Sequence, residues 1–138
     1  MDVVVDANIL FASIIKEGVT IRLIFTDELH LFAPEFLLSE FSKHREEILE
    51  KTYRSEDEFN KLIEVISRRI NFVPKEEIDP FMKNAEKISP DPDDSMYFAL
   101  AMRIGAAIWS NDSRLKNQNK IKVHTTSELI KMFLGDEN

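Results

Sequence analysis

The segment at residues 2–15, DVVVDANILFASII, combines a predicted strand, an acid and a predicted helix. Residues 2–5 form a short run rich in valine, which is typical of a strand buried on both faces of a parallel sheet. From residue 8 to residue 15 the apolar side chains follow helical spacing. Asp6 therefore stands at the carboxyl end of the strand, where burial of its carboxylate is costly unless it is paired or binds a cation. The alternative role of Asp6 is to cap the following helix.

Predicted strands and helices alternate along the rest of the chain. Further strands are expected at residues 31–33, 71–73, 106–110 and 122–124. After Gly18, Thr20 is placed to cap a helix that reaches about residue 26, and Pro34 suits the first turn of a long helix through about residue 51. Ser55 and Glu58 are spaced as a capping box for a helix to residue 69.

The later helices carry similar end signals. Asp-Pro pairs at residues 79–80 and 91–92 are typical of an N-cap followed by the first helical residue, for helices that end near residue 88 and at Gly105. Thr125 and Glu128 form a capping box for the last helix.

This alternation indicates the fold class. Strands that alternate with helices form βαβ units, which predicts a three-layer α/β/α sandwich with a mostly parallel, roughly five-stranded sheet. The 138 residues are expected to form a single domain, residues 1–138. In such sheets ligands bind beyond the carboxyl ends of the strands, and Asp6 and Asp112 both follow a predicted strand.

Composition limits the kinds of site and partner. The chain has no cysteine, so a metal ion would be held by oxygen or imidazole, which favours hard cations such as Mg²⁺ or Mn²⁺. The net charge of -7 argues against a broad basic surface for nucleic acid, but carboxylates of a metal-dependent nuclease would contribute to that charge. No run of about 18 apolar residues and no signal peptide is visible, so we expect a cytoplasmic protein that does not enter a membrane.

Three further acids are candidates for a site with Asp6. Glu40 lies at the edge of the apolar stripe of its helix, although an ordinary surface pair with a nearby basic residue would also explain it. Asp93 and Asp94 open a helix that is apolar over residues 96–101, and its first turn is expected to direct Asp94, rather than Asp93, towards the strand ends. Asp112 could equally cap a short helix, and Asn8 and Ser110 could support a metal-bound water.

The chain resembles the PIN-domain family over nearly its whole length. The resemblance is carried by VVVDANIL at residues 3–10, LLSEF at 37–41, DDSMYFALA at 93–101 and WSNDSRL at 109–115. These motifs match Asp6 and Glu40 to the family's acids. They also match Asp94, through the alanines five and seven residues later, and Asp112, through its Ser-x-Asp pattern with Ser110.

The resemblance implies a Mg²⁺- or Mn²⁺-dependent ribonuclease of the VapC-like kind, often the toxin of a toxin-antitoxin pair and often a homodimer. RNA would be the substrate and an antitoxin protein a possible partner. On this hypothesis Asp6, Asp94 and Asp112 coordinate metal directly or through water, and Glu40 ligates a second ion or orients the attacking water. Basic side chains near the motifs are candidates for contacts to the RNA backbone: Lys43, Arg45, Arg114, Lys116, Lys120 and Lys122.

Two other functions compete with the nuclease. A phosphatase of the haloacid-dehalogenase type also begins with an apolar strand ending in Asp, but it requires a second Asp where this chain has Asn8. In a non-catalytic interaction scaffold the acids would only cap helices. Capping explains each acid alone but not four acids at one edge of a sheet.

Overall fold

A single sheet of five parallel strands forms the centre of the computed structural model, which describes residues 1–15 and 18–135. The strands lie in the spatial order β3-β2-β1-β4-β5. Their bounds are β1 (Asp2–Val5), β2 (His30–Pro34), β3 (Ile70–Val73), β4 (Ala107–Trp109) and β5 (Val123–His124). The five predicted strands are confirmed to within two residues at each end, and the sheet is entirely rather than mostly parallel.

The first strand is the middle strand of the sheet. Val3 is level with Leu31 of β2 on one side and with Ala107 of β4 on the other. The side chains of β1 from Val3 to Val5 are fully buried, because helices cover both faces of the sheet. Trp109 at the end of β4 is also fully buried.

Helices form a layer on each face of the sheet. Their bounds are α1 (Ala7–Ile15), α2 (Val19–Ile24), α3 (Leu37–Lys43), α4 (Arg45–Thr52), α5 (Glu56–Arg68), α6 (Lys75–Ile78), α7 (Met82–Ile88), α8 (Ser95–Ile104) and α9 (Thr126–Phe133). Helix α8 packs on β1, β2 and β4 with α6 and α7 beside it, whereas α1 packs on α2 and α4, and α2 packs on α9. Parallel crossovers are right-handed, so the outward path from β1 to β3 and the return to β4 lie on opposite faces. This confirms the three-layer sandwich.

Two of the predicted helix starts are wrong near the second strand. Helix α2 begins at Val19 after Gly18, so Thr20 lies inside the helix and does not cap it. Pro34 is the last residue of β2 and is level with Val73 of β3, and the amide of the next residue, Glu35, donates to the Val73 carbonyl at 2.9 Å. Proline is tolerated there because the strand ends at that position.

The long helix predicted over residues 34–51 is divided in two. Helix α3 ends at Lys43 and α4 begins at Arg45, with His44 between them outside helical geometry (φ -102°, ψ 10°). The His44 ring packs edge-to-face on Phe11 of α1, with ring centroids 5.7 Å apart. The break therefore places the imidazole against the neighbouring helix.

The Asp79–Pro80 pair does not start a helix either. Helix α6 begins earlier, at Lys75, and residues 79–81 form a 3₁₀ turn that leads into α7. The Asp79 carboxylate accepts from Lys75 Nζ at 2.8 Å instead of capping the backbone. By contrast, Asp91 caps the 3₁₀ turn at residues 92–94, where its Oδ1 accepts from the Asp93 amide at 2.9 Å.

The remaining end signals are confirmed. Ser55 Oγ accepts from the Glu58 amide at the start of α5, and Thr125 with Glu128 forms a complete capping box on α9. Gly105 ends α8 in the left-handed region at φ 67°. None of the helices within residues 1–15 and 18–135 has the length and apolar character needed to cross a membrane.

Candidate metal centre

The sheet order places the ends of β1 and β4 side by side. The chain runs outward from β1 to β2 and β3, and then returns to add β4 on the other side of β1. Ligands of open α/β sheets bind beyond the carboxyl ends of the strands at such a reversal. Asp6 follows β1 and Asp112 lies close behind β4, and the Asp6 amide donates to the Trp109 carbonyl at 3.3 Å. The fold thus brings the first and last candidate acids to one place.

Asp6 is held in a fixed position at the centre of this place. Its side chain is buried, with 5% of the residue exposed, and Oδ1 accepts from the Ile9 amide at 3.0 Å. Burial raises the pKa of Asp6, and the negative charge of Asp112 adds to that rise. A hydrogen bond from the Ser110 hydroxyl and the backbone amides of Ile9 and Asn8 act in the opposite direction. Asp6 does cap α1, as the alternative reading of the sequence proposed, and it also faces the other acids.

Asp112 is paired with a neighbouring arginine. Its Oδ1 accepts from the Arg114 amide at 3.0 Å, and the guanidinium donates from Nε at 3.0 Å to Oδ1 and from Nη2 at 2.7 Å to Oδ2. These bonds hold the pKa of Asp112 below its ordinary value. Arg114 Nη1 also lies 3.7 Å from Asp91 Oδ2. The Asp112 carboxylate is therefore both a cap of the 3₁₀ turn at residues 113–116 and an ion-pair partner.

Asp94 carries the largest upward shift among the candidate acids. Burial, followed by the charges of Asp91, Asp112 and Asp6, raises its pKa to about 6, although Arg114 acts in the opposite direction. Asp94 precedes α8 but makes no side-chain capping bond with it. Its carboxylate is thus available to a ligand and close enough to Asp6 and Asp112 to be affected by their charges.

Asp93 differs from Asp94 in its surroundings. It is exposed, and its amide is used by the Asp91 cap. The structure therefore brings Asp94, rather than Asp93, together with Asp6 and Asp112.

Tyr97 connects Glu40 to the three aspartates. Its hydroxyl accepts from the Ala7 amide at 3.2 Å. Burial raises the pKa of Tyr97, and the negative charges of Asp6, Asp94 and Glu40 add to the rise. Tyr97 is three residues after Asp94, the spacing that puts two side chains on one face of a helix. This spacing was the signal in the sequence for Tyr97, which was not among the predicted site residues.

Glu40 lies at the rim of this group and not at its centre. Its carboxylate is 3.4 Å from Lys43 Nζ and 3.7 Å from His44 Nε2, which is the surface pairing considered from the sequence. Its negative charge adds to the rise in the pKa of Tyr97, so it lies near that side chain. Glu40 is therefore the most weakly connected of the four candidate acids.

The supporting residues have different positions. Ser110 is buried and bridges two acids, because its hydroxyl bonds to Asp6 and its Oγ accepts from the Asp112 amide at 3.1 Å. The side chain of Asn8 is exposed on the first turn of α1, and its backbone amide bonds to Asp6. Asn111, which lies between Ser110 and Asp112, instead caps α9 by accepting from the Thr126 amide at 2.8 Å.

The donor set suits a hard divalent cation. Within residues 1–15 and 18–135 no group of three or more His, Asp or Glu side chains is arranged as a ready-made metal cage. Mg²⁺ does not need one, because it is usually held by one or two carboxylates and keeps several waters. Asp94, with a pKa raised by burial and by adjacent negative charge, is the kind of ligand whose ionised form a cation would stabilise. The residues present therefore fit Mg²⁺ or Mn²⁺, and the Asp112 carboxylate is also the partner of Arg114.

Comparison with known proteins identifies the family. No curated protein and no solved structure matches the chain. A family model described as the PIN domain matches residues 4–131, which include all four candidate acids. PIN domains are typically nucleases and generally depend on metal ions. Because the match spans nearly all of the 138 residues, this chain belongs to the PIN-domain family.

Proposed function

We propose that this chain is a ribonuclease that hydrolyses RNA phosphodiester bonds with Mg²⁺ or Mn²⁺ held by Asp6, Asp94, Asp112 and Glu40. The observation that carries the proposal is the convergence of Asp6, Asp94 and Asp112 at the point where the strand order reverses, where the charges of Asp6 and Asp112 add to the effect of burial on the pKa of Asp94. Capping alone gives no reason for three carboxylates to repel one another at a ligand-binding edge. A divalent cation there would offset that repulsion.

The four acids differ in how they can act. Asp6 is fixed by backbone amides and Ser110, so it would supply a rigid ligand. Asp94 makes no capping bond and is free to turn towards a cation. A bound divalent ion would neutralise charge on the scissile phosphate and lower the pKa of a water molecule. Glu40, at the rim, would ligate a second ion or orient the attacking water.

Arg114 is the residue that must move for Asp112 to serve as a ligand. Its guanidinium occupies both carboxylate oxygens of Asp112, and its side chain is largely exposed. When a cation replaces it, the freed guanidinium would lie beside the site, where bidentate hydrogen bonding to an RNA phosphate is favourable.

The direct test is cleavage of a mixed structured and single-stranded RNA pool with Mn²⁺, with Mg²⁺ and with chelator. Wild type is compared with Asp94→Asn and with Asp93→Asn, a matched control at the adjacent exposed acid. We expect metal-dependent cleavage that is lost by at least about 100-fold in Asp94→Asn and kept in Asp93→Asn. Full activity in both Asp94→Asn and Asp6→Asn would contradict the proposal.

The alternatives lead to different results in the same experiment. A non-catalytic scaffold would leave RNA intact under every condition and would bind no Mn²⁺ at the acids. The phosphatase alternative loses its support, because the chain belongs to the PIN-domain family and carries Asn8 where a phosphatase of that type needs an acid.

The oligomeric state and protein partner are also part of the proposal. A homodimer is supported by two surface grooves with apolar walls. Phe36 and Leu38, which are both exposed, line the first groove, and Leu38 and Ile63 line the second. Light scattering after size exclusion would test it. A toxin role with an antitoxin partner and a cytoplasmic location remain predictions from the sequence.

A further inference from the structure

A cleft of about 320 Å³ lies between α1 on one side and His44 with α4 on the other. Its walls include Asn8, Phe11 and Ile15 from α1, and His44, Glu47 and Lys51 from the opposite side. Pockets for small ligands begin at about 300 Å³, so the cleft is of a size for one small group and is too small for a peptide helix.

Two residues of the cleft wall are neighbours of the candidate acids. Asn8, at one end, is two residues beyond Asp6 and gives its backbone amide to that carboxylate. His44, on the other wall, has Nε2 3.7 Å from Glu40 Oε2. If a phosphodiester were bound at the acids, the adjoining nucleoside would therefore reach the mouth of this cleft.

The walls offer aromatic surface that is held in place. Phe11 packs edge-to-face on Phe41, with ring centroids 5.1 Å apart, and on His44 at 5.7 Å. The side chain of His44 is 47% exposed, so its ring packs on Phe11 and still has part of its surface open to solvent. Bases stack on such rings whatever their sequence, because every base has a π-face.

The charged groups of the cleft are already paired with each other. Glu47 lies 2.9 Å from Lys51 Nζ and 3.5 Å from His44 Nδ1. A phosphate would meet the Glu47 carboxylate in this cleft, whereas an uncharged base meets aromatic carbon and the polar groups of Asn8 and Glu47. The lining therefore favours a base over a phosphate.

We propose that this cleft binds a nucleobase adjacent to the scissile phosphate, stacked on the exposed surface of His44 and hydrogen-bonded by Asn8. The inference rests on the proposed ribonuclease function, which it extends by placing part of the substrate. Base preference at the cleavage site would then be set by α1 and the junction of α3 with α4.

The first experiment separates this subsite from the nuclease. Adenosine, cytidine, guanosine and uridine are titrated in chelator, and nuclear magnetic resonance follows the His44 ring and the Asn8 side-chain amide. Neutral nucleosides are used so that neither phosphate nor metal contributes. At least one nucleoside is expected to shift both signals in a saturable way. The ring signal of His30, which pairs with Asp2 at the start of β2, is the control and should not shift.

Substitutions then test the assignment. His44→Ala is expected to weaken nucleoside binding by about five-fold or more, the loss of one stacked base, whereas His30→Ala leaves it unchanged. Asn8→Ala provides a second variant at an exposed position, and unchanged melting temperatures show that the variants are folded. If no nucleoside shifts the His44 and Asn8 signals, or if binding survives His44→Ala, the subsite is wrong.

Sequencing of cleavage products gives an independent readout. Wild type and His30→Ala should share a preference for the base beside the cut, and His44→Ala should flatten it while cleavage remains metal-dependent. Metal-dependent cleavage with the same preference in His44→Ala overturns the subsite and leaves the ribonuclease standing. If wild type cleaves no RNA, the ribonuclease proposal fails, and the base bound in the cleft can no longer be assigned to an RNA substrate. The nucleoside titration then shows only whether the cleft binds bases.

Discussion

Asp94→Asn is expected to stabilise the metal-free protein at neutral pH, although it removes a candidate metal ligand. The pKa of Asp94 rises from an ordinary 3.8 to about 6 in the folded protein, a difference of about 2 units. At about 1.4 kcal/mol per unit this corresponds to about 3 kcal/mol at most, and solvent screening of this partly exposed side chain lowers it to about 1 kcal/mol. No side-chain capping bond is lost, because Asp94 makes none with α8.

The sign of the effect follows from the direction of the shift. The folded protein binds the Asp94 proton more tightly than the unfolded chain does, so this residue favours folding below about pH 4 and that contribution is lost as pH rises through about 6. Asn carries no charge at any pH. The variant should therefore match wild type near pH 4 and exceed its free energy of unfolding by about 1 kcal/mol at pH 7.5.

Urea denaturation in chelator between pH 4 and pH 7.5 measures this difference. Asp93→Asn is the control, and its exposed position predicts a change within about 0.5 kcal/mol. Adding Mn²⁺ should reverse the order, because only wild type then gains stability from a complete set of ligands. The reasoning is refuted if Asp94→Asn is less stable than wild type at pH 7.5 in chelator, or if the difference does not depend on pH.

Three further substitutions test the site and the fold. Arg114→Gln should raise Mn²⁺ affinity several-fold in a calorimetric titration, because Asp112 loses its competing ion pair. Arg103→Gln is the control, since it removes a different surface pair and should leave Mn²⁺ affinity unchanged. Equal or weaker Mn²⁺ binding in Arg114→Gln would contradict the proposed competition. Thr125→Ala removes the cap of α9 and should lower the free energy of unfolding by about 1 kcal/mol in urea; no loss would mean that the cap contributes nothing. Gly105→Ala places a Cβ at φ 67° and should cost about 1 kcal/mol by the same measurement, and an unchanged midpoint would refute the strain argument.

The sequence predicted the sheet well because the signals for its strands are local. Valine-rich or apolar runs that stop at an acid or a polar residue mark β1 and β4, and their carboxyl ends were the predicted position of the site. The capping box at Thr125 is equally local and is present as predicted. The match to the PIN-domain family agrees with the sequence motifs, because that family combines them in one fold.

The wrong helix starts have two different physical causes. Pro34 suits the first turn of a helix and also the end of a strand, and its pairing with Val73 of β3 decides between them. Residues far apart in the chain make that pairing, so no local pattern contains it. Asp79 could have capped a helix, but Lys75 one turn earlier binds its carboxylate.

The candidate site remains a prediction, and its geometry goes beyond what spacing can tell. Sequence placed Arg114 among possible RNA contacts, but not in a bidentate pair with Asp112 two residues away. For Tyr97, which lies near three of the acids, the only sign in the sequence was its spacing of three residues from Asp94. Both features depend on how the turn after β4 and the start of α8 meet beside β1.

The central place of β1 has a consequence for protein synthesis. Asp6 leaves the ribosome first among the candidate ligands, but its neighbour across the sheet is supplied by residues 107–109. Until that strand emerges and docks, Asp6 has no Asp112 or Ser110 beside it. The candidate carboxylates therefore stay apart in the nascent chain until β4 and the turn that follows it have been synthesised.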